Sequence, residues 1–205
     1  ALAQVETIEP PTRVGAPGAP AIKPFASADE ARLFQDEVIG LIERVRPSVV
    51  ALEITFPGGP GGPGETGGGS GAIIDADGII VTSGHVGRRA GLPVRIWFAD
   101  GSMTLGETLG QYLEGQADCG LIRFDPGDRE LVALPLADEP MPVGVGDWIL
   151  SFGHTHGVQK QPFRPAPVRI GRVTALGTRS FALDAPLNSG DSGGPVVDLS
   201  GRLVG

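Results

Sequence analysis

From residue 48 onward the chain is a succession of short strand-forming apolar runs separated by turn residues, and this pattern constrains the fold most strongly. Hairpin turns are indicated at Asp75–Gly78 and Ala99–Ser102. Many short strands without intervening helices favour antiparallel barrels or sandwiches over a parallel sheet. The predicted strands are Val49–Phe56, Gly71–Val81, Val94–Phe98, Met103–Leu113, Gly120–Phe124, Trp148–Phe152, Val168–Leu176, Phe181–Leu183 and Pro195–Val197.

The region before the strands divides into a flexible lead and one helix. Residues 1–27 contain several prolines, which prevent a regular helix or a central strand. An apolar stripe at helical spacing follows, and it predicts a helix that Ser27 or Asp29 caps and that ends before Pro47. Residues 28–205 are therefore predicted to form the folded domain. The glycine-rich tract Pro57–Gly69 is predicted to be a flexible connection within it.

Charge and cysteine content exclude several classes of protein. The formal net charge is -8, and no dense cluster of Lys and Arg is present, which argues against a nucleic-acid partner. The single cysteine, Cys119, cannot form an internal disulfide. Strand alternation predicts that Cys119 is a small core residue on the face opposite Asp118. No apolar run is long enough to span a membrane as a helix.

Three short motifs supply the residue types of a nucleophilic site. Gly190–Pro195 surrounds Ser192 with glycines, Thr82–Val86 places His85 after an apolar strand, and Asp118 precedes another strand. A serine hydroxyl is a poor nucleophile unless a neighbouring base takes its proton. Imidazole suits that role because it accepts and returns a proton near neutral pH. A carboxylate then orients the ring and stabilises the imidazolium.

The glycines beside Ser192 indicate an oxyanion hole. Backbone N–H groups that point at a developing oxyanion need torsions and close approaches that side chains obstruct. We expect the oxyanion loop, Gly190, Asp191 and Ser192, to provide this site, with the N–H groups of Gly190 and Ser192 as its donors. These motifs together predict a catalytic triad of His85, Asp118 and Ser192.

These motifs resemble those of trypsin-like, chymotrypsin-fold serine proteases. The segments Ile42–Val50 and Gly69–Thr82 are more similar to the bacterial HtrA/Deg branch than to the animal digestive enzymes, and the similarity runs over residues 35–205. The resemblance implies an all-β fold of two six-stranded antiparallel barrels with an N-terminal helix. It also implies that the end of the second barrel would follow Gly205 and that a further domain could follow it.

The resemblance implies a serine endopeptidase that forms an acyl-enzyme, acts on polypeptides that include unfolded proteins, and serves extracytoplasmic protein quality control in the periplasm or outside the cell. It implies no cofactor and no metal. It also implies a homotrimer, in which Phe25 and Phe34 are candidate contacts, with packing against the barrel as the alternative. The substrate-pocket wall would be Pro186, Leu187 and Asn188. Because position 186 is a proline and not an acidic residue, a preference for substrates with Lys or Arg is not expected.

Two other functions and one boundary question stay open at this point. A catalytically silent protease-fold chaperone or binding protein would keep the fold without turnover. A metal site could use His154 and His156, but a catalytic zinc needs about three protein ligands and no third is evident. Ala1–Ala3 matches the end of a secretory signal, and an arbitrary boundary explains it equally well.

Overall fold

The structure is a computed structural model that describes residues 25–58, 64–113, 117–138, 142–154 and 165–205. The predicted flexible lead lies almost entirely outside these ranges. Helix α1, Ala28–Val45, begins where predicted, because the Ser27 hydroxyl accepts a hydrogen bond from the N–H of Glu30 at 3.1 Å. The helix ends before Pro47, as predicted, and a 3₁₀ turn that contains this proline follows at Arg46–Ser48.

Six antiparallel strands close into a barrel. In ring order they are β1, β2, β3, β6, β5 and β4, and β3 is followed by a short helical turn. Their bounds are β1 Val49–Phe56, β2 Glu65–Asp75, β3 Ile79–Thr82, α2 Gly84–Gly87, β4 Pro93–Trp97, β5 Met103–Tyr112 and β6 Cys119–Phe124.

Alternation along the strands fills the barrel interior with branched apolar side chains. In β1, Leu52 and Ile54 are fully buried, and so are Ile80 of β3 and its partner Ile122 on the neighbouring strand β6. Burying each such side chain contributes about 1.5–3 kcal/mol. The barrel therefore encloses a hydrophobic core of its own.

The strand predictions hold closely, with one correction in β2. The predicted strand Gly71–Val81 is two strands separated by the predicted hairpin turn, and β2 begins earlier, at Glu65. Part of the glycine-rich tract predicted as a flexible connection is thus strand, paired with β1 through Leu52 and Gly69. The pairing is made by the backbone, so it does not need the side chains that strand propensity measures.

The second half of the fold is an open sheet in the described residues. Its strands, in spatial order β10, β7, β8 and β9, are antiparallel neighbours. The prediction of two six-stranded barrels is therefore confirmed only for the first. The last described residues lie beside β10, where the N–H of Val196 donates to the carbonyl of Gly205 at 2.7 Å. The bounds are β7 Trp148–Phe152, β8 Val168–Leu176, β9 Phe181–Leu183 and β10 Val196–Asp198.

Helix α1 fills the junction between barrel and sheet. Its buried residues Leu41 and Val45 share a core with Val49 of the barrel and Leu150 of β7. Phe34 packs against Trp148 of β7, with ring centroids 5.3 Å apart. No helix among the described residues has the length and hydropathy needed to span a membrane.

Candidate active site

His85 lies in the short turn that follows β3. The carbonyl of Ser83 accepts hydrogen bonds from the N–H groups of Val86 and Gly87, both at 3.0 Å, which close the turn. The His85 side chain is 59% exposed, so the ring can be reached from solvent. The barrel strand thus ends by presenting an accessible imidazole.

Asp118 lies beside His85 because β3 and β6 are paired. Thr82 pairs with Gly120, so the residue that precedes β6 meets the turn that follows β3. The Asp118 Oδ2 and His85 Nδ1 atoms are 2.5 Å apart, and the N–H of His85 donates to Oδ1 at 2.8 Å. Both carboxylate oxygens therefore hold one residue. With Nδ1 engaged, Nε2 is the ring nitrogen that can take a proton from a hydroxyl.

The electrostatics of this pair favour an ionised carboxylate. Burial by itself raises the pKa of Asp118, but the hydrogen bonds from the His85 ring and backbone and from the N–H of Gly84 lower it, and the net pKa lies below the ordinary value. Asp118 is therefore charged at neutral pH, as an orienting and stabilising carboxylate must be.

Ser192 is carried by the loop that precedes β10, and the barrel anchors this loop. The N–H of Ser70 in β2 donates to the carbonyl of Ser192, and its hydroxyl donates to the carbonyl of Gly190, each at 2.8 Å. Ser70 is itself fixed, because the Thr82 hydroxyl donates to its carbonyl at 2.7 Å. Sequence reasoning missed Ser70, and no motif marks it.

Two glycines after Ser192 are required by close approaches. A Cβ on Gly193, whose φ is +83°, would collide with the Thr82 hydroxyl, and one on Gly194 would collide with the carbonyl of Phe152. Side chains at these positions would push the serine loop away from the barrel and from β7. The glycines thus let the loop lie against both halves of the fold.

Within the oxyanion loop, two N–H groups differ from the third. The N–H of Asp191 donates to the carbonyl of Asn188 at 3.1 Å. Among the described residues, the N–H groups of Gly190 and Ser192 donate to no recorded backbone partner. Their role as oxyanion donors stays a prediction.

The structure joins His85 to Asp118 but does not join His85 to Ser192. In the part of the chain that is described, no hydrogen bond links the Ser192 hydroxyl to the imidazole. Catalytic hydrogen bonds are often long without substrate and shorten in the complex, and the pairing of His85 with Ser192 stays a prediction. Pro186, Leu187 and Asn188 are exposed on the segment before Ser192, and their role as a pocket wall stays a prediction.

A cavity of about 320 Å³ lies beside Asp118. It is lined by Asp118, Cys119, Thr82, Gly193 and Leu203, among others. Cys119 is half-buried and borders this cavity together with Asp118, so its predicted placement in the core is wrong. Burial and the neighbouring Asp118 charge raise the pKa of the Cys119 thiol, which disfavours the reactive thiolate.

His154 and His156 cannot be compared as a pair. His154 is buried, and its N–H donates to the Ser70 hydroxyl at 2.8 Å, while His156 lies outside the described residues. The described residues contain no group of three or more His, Cys, Asp or Glu side chains that could hold a metal ion. The backbone of His154 instead extends the network that positions the serine loop.

The fold and the placement of these loops define one class of protein, the trypsin-like peptidases. The family model for the trypsin-like peptidase domain matches residues 69–205, and the chain belongs to this family.

Among curated proteins, the chain is similar to members of the HtrA/Deg group. It is 30% identical over 145 residues to a protein of Brucella suis named "Probable periplasmic serine endoprotease DegP-like", covering 67% of this chain and 26% of that protein. A protein of the same name from Chlamydia muridarum is 27% identical over 146 residues, covering 67% and 27%. The chain thus spans about a quarter of the length of these relatives.

Among solved structures, the crystal structure of Deg5 has the same fold. It superposes with a TM-score of 0.64 and 24% sequence identity, and the match covers 84% of each chain. The barrel and the second sheet are therefore the arrangement of a Deg-type protease domain.

Proposed function

We propose that the protein is a serine endopeptidase in which Ser192 is the nucleophile, His85 the general base and Asp118 the residue that orients His85. The observation that carries the proposal is the double contact of the Asp118 carboxylate with His85. It fixes the ring with Nε2 as the proton acceptor, which is the state that activates a serine hydroxyl. The family match and the relatives named as endoproteases support the same chemistry.

The reaction follows from these roles. The Ser192 Oγ attacks the carbonyl carbon of a peptide bond while its proton passes to Nε2 of His85. The oxyanion accepts hydrogen bonds from the N–H groups of Gly190 and Ser192. As the tetrahedral intermediate collapses, His85 gives the proton to the departing amine and Ser192 keeps the acyl group. Water then attacks the ester by the same route and releases the acid.

The substrate would be a polypeptide, and its binding would use the wall formed by Pro186, Leu187 and Asn188. No carboxylate in this wall attracts Lys or Arg, so small or medium apolar side chains should be preferred. Relatives named as periplasmic endoproteases support an extracytoplasmic location and a role in protein quality control. A homotrimer belongs to the same proposal, with the exposed Phe25 as a candidate contact.

A fluorophosphonate probe tests this function on the full-length protein. Ser192 should be labelled, and Ser192→Ala should lose both labelling and cleavage of an unfolded polypeptide such as reduced casein. Ser200→Ala is the matched control, because Ser200 is exposed in the turn after β10. Its labelling should equal that of the unmodified protein.

One observation keeps a second function open, namely that of a protease-fold binding protein without turnover. The hydroxyl of Ser192 and the imidazole are not hydrogen-bonded in the described structure. If the unmodified protein binds reduced casein but the probe leaves Ser192 unlabelled, this second function replaces the first.

A further inference from the structure

A buried ion pair lies directly beneath the serine loop. The Arg169 Nη2 atom is 3.0 Å from Oδ2 of Asp191, and the two side chains are 15% and 5% exposed. Arg169 belongs to β8 and pairs with Ser151 of β7, so its backbone is held inside the second sheet. The arginine thus extends from a rigid strand to the loop that carries Ser192.

Asp191 joins the two turns of that loop. Its Oδ2 accepts a hydrogen bond from the N–H of Asn188 at 2.7 Å, and its own N–H donates to the carbonyl of Asn188 at 3.1 Å. Its carbonyl accepts from the N–H of Gly194 at 2.8 Å. The residue on each side, Gly190 and Ser192, supplies a proposed oxyanion donor. Moving the Asp191 side chain would therefore turn both donors.

The surroundings leave Asp191 little freedom. A Cβ on Gly153 would stand 2.6 Å from Oδ1 of Asp191, so the backbone after β7 encloses the carboxylate on one side. A buried carboxylate that loses its cation is strongly destabilised and tends to move toward water. A guanidinium holds a carboxylate in a defined direction, because its N–H groups are rigidly arranged.

We propose that Arg169 is a positioning residue for the peptidase reaction: it holds Asp191, and through Asp191 it sets the direction of the Gly190 and Ser192 N–H groups. This inference rests on the proposed function. Arg169 touches no reacting atom in this account and acts only through the loop. The barrel contributes the complementary tie, through the Ser70 hydroxyl and the carbonyl of Gly190.

The test compares Arg169→Met with Arg172→Met in the full-length protein. Arg172 lies on the same strand, and its guanidinium stacks on the Trp148 ring at 3.9 Å, so it is a matched arginine that does not touch the loop. In Arg169→Met, the maximal rate of fluorophosphonate labelling should fall about 100-fold, as for loss of an oxyanion donor. The probe concentration at half-maximal rate should change little. Arg172→Met should keep the unmodified rate.

Two further variants separate positioning from stability. Arg169→Lys should label faster than Arg169→Met, because an ammonium group can still pair with Asp191. The double variant Arg169→Met with Asp191→Asn removes both charges. It replaces Arg169→Met in the test if that single variant does not fold. It should unfold at the unmodified temperature and still label slowly. Unmodified labelling in the double variant would show that Arg169 only balances a buried charge, and would overturn the proposal.

Hydrogen exchange decides the inference independently of activity. Backbone amides of residues 187–194 should exchange faster in Arg169→Met, or in the double variant, than in the unmodified protein, while Arg172→Met leaves them unchanged. Equal exchange in all variants overturns the inference. Absence of probe labelling in the unmodified protein contradicts the proposed function, and the exchange measurement then decides the role of Arg169 alone.

Discussion

The barrel and the second sheet hold their parts of the site in different ways. His85 and Asp118 follow and precede paired barrel strands, so the strand register brings them together. Ser192 lies on a loop that Ser70 of the barrel holds through its N–H and its hydroxyl, and that the Arg169 side chain holds from the sheet. The proposed base is thus fixed by the pairing of two strands, whereas the proposed nucleophile and its donors depend on a few polar contacts. Substitutions in the two halves should therefore have different effects on activity and stability.

The largest effect on the rate of cleavage is expected at Asp118, which the barrel holds beside His85. Asp118→Asn should lower kcat about 10⁴-fold, because the amide favours the wrong tautomer of His85. Thermal unfolding should stay close to that of the unmodified protein, since the strand register persists. Steady-state cleavage of reduced casein measures the first and calorimetry the second. A loss of less than tenfold would mean that the pair does not orient the base.

Core truncations compare the stability of the two halves. Ile122→Ala in the closed barrel should lower the free energy of unfolding by about 2–5 kcal/mol, because the surrounding ring cannot collapse into the cavity. Ile149→Ala in the open sheet should cost less, since its smaller core can relax. Urea unfolding measures both. Leu105→Ala is the control: Leu105 is 66% exposed, and its truncation should change little. An equal cost at Ile122 and Ile149 would remove this contrast.

The tie between the two halves should affect labelling more than stability. Ser70→Ala removes the hydroxyl that binds the Gly190 carbonyl and leaves that acceptor unsatisfied, which costs about 1–3 kcal/mol. Fluorophosphonate labelling should slow about 10- to 100-fold, as the oxyanion loop shifts. The downfield proton resonance of the His85–Asp118 bond should remain. If that resonance disappears in Ser70→Ala, the halves are not independent.

The smallest effect is expected at an exposed barrel turn. Hydrogen bonds from the Ser102 side chain and backbone, followed by Arg129, lower the pKa of Asp100 from 3.8 to about 2. Because the folded pKa is depressed, the ionised carboxylate stabilises the fold above pH 4, and this contribution is lost as the pH falls from about 4 to about 2. Unfolding free energies of the unmodified protein and Asp100→Asn should therefore converge at low pH. A constant difference would contradict the assignment.

The elements that the sequence predicted are those whose signals are local. β1 and β8, which are short apolar runs, begin and end where predicted, and Ser27 caps α1 as its residue type indicates. The start of β2 was missed because glycines carry no strand signal and the pairing with β1 comes from the partner strand. Closure of a second barrel was inferred from resemblance, and the described strands form an open sheet.

The residues of the candidate site divide in the same way, into those that a local motif marks and those that only the fold brings together. Motifs marked His85, Asp118 and Ser192, because their neighbours reveal a strand end or a tight turn. Ser70 could not be found this way, since it contacts Gly190 across 120 positions of sequence. Arg169 stands in an ordinary strand pattern, and only folding shows that it meets Asp191. Residues that act through a distant contact leave no local signal.

In the proposed mechanism, His85, Asp118 and Ser192 act as one site with the oxyanion loop. A crystal structure of the full-length protein after reaction with a peptidyl phosphonate tests it most directly. We expect a covalent bond from Ser192 Oγ to phosphorus, with a phosphoryl oxygen about 2.7–3.1 Å from the N–H nitrogens of Gly190 and Ser192. The His85 ring should lie beside the adduct and keep its bond to Asp118. An adduct on another residue, or a phosphoryl oxygen directed away from both N–H groups, would contradict it.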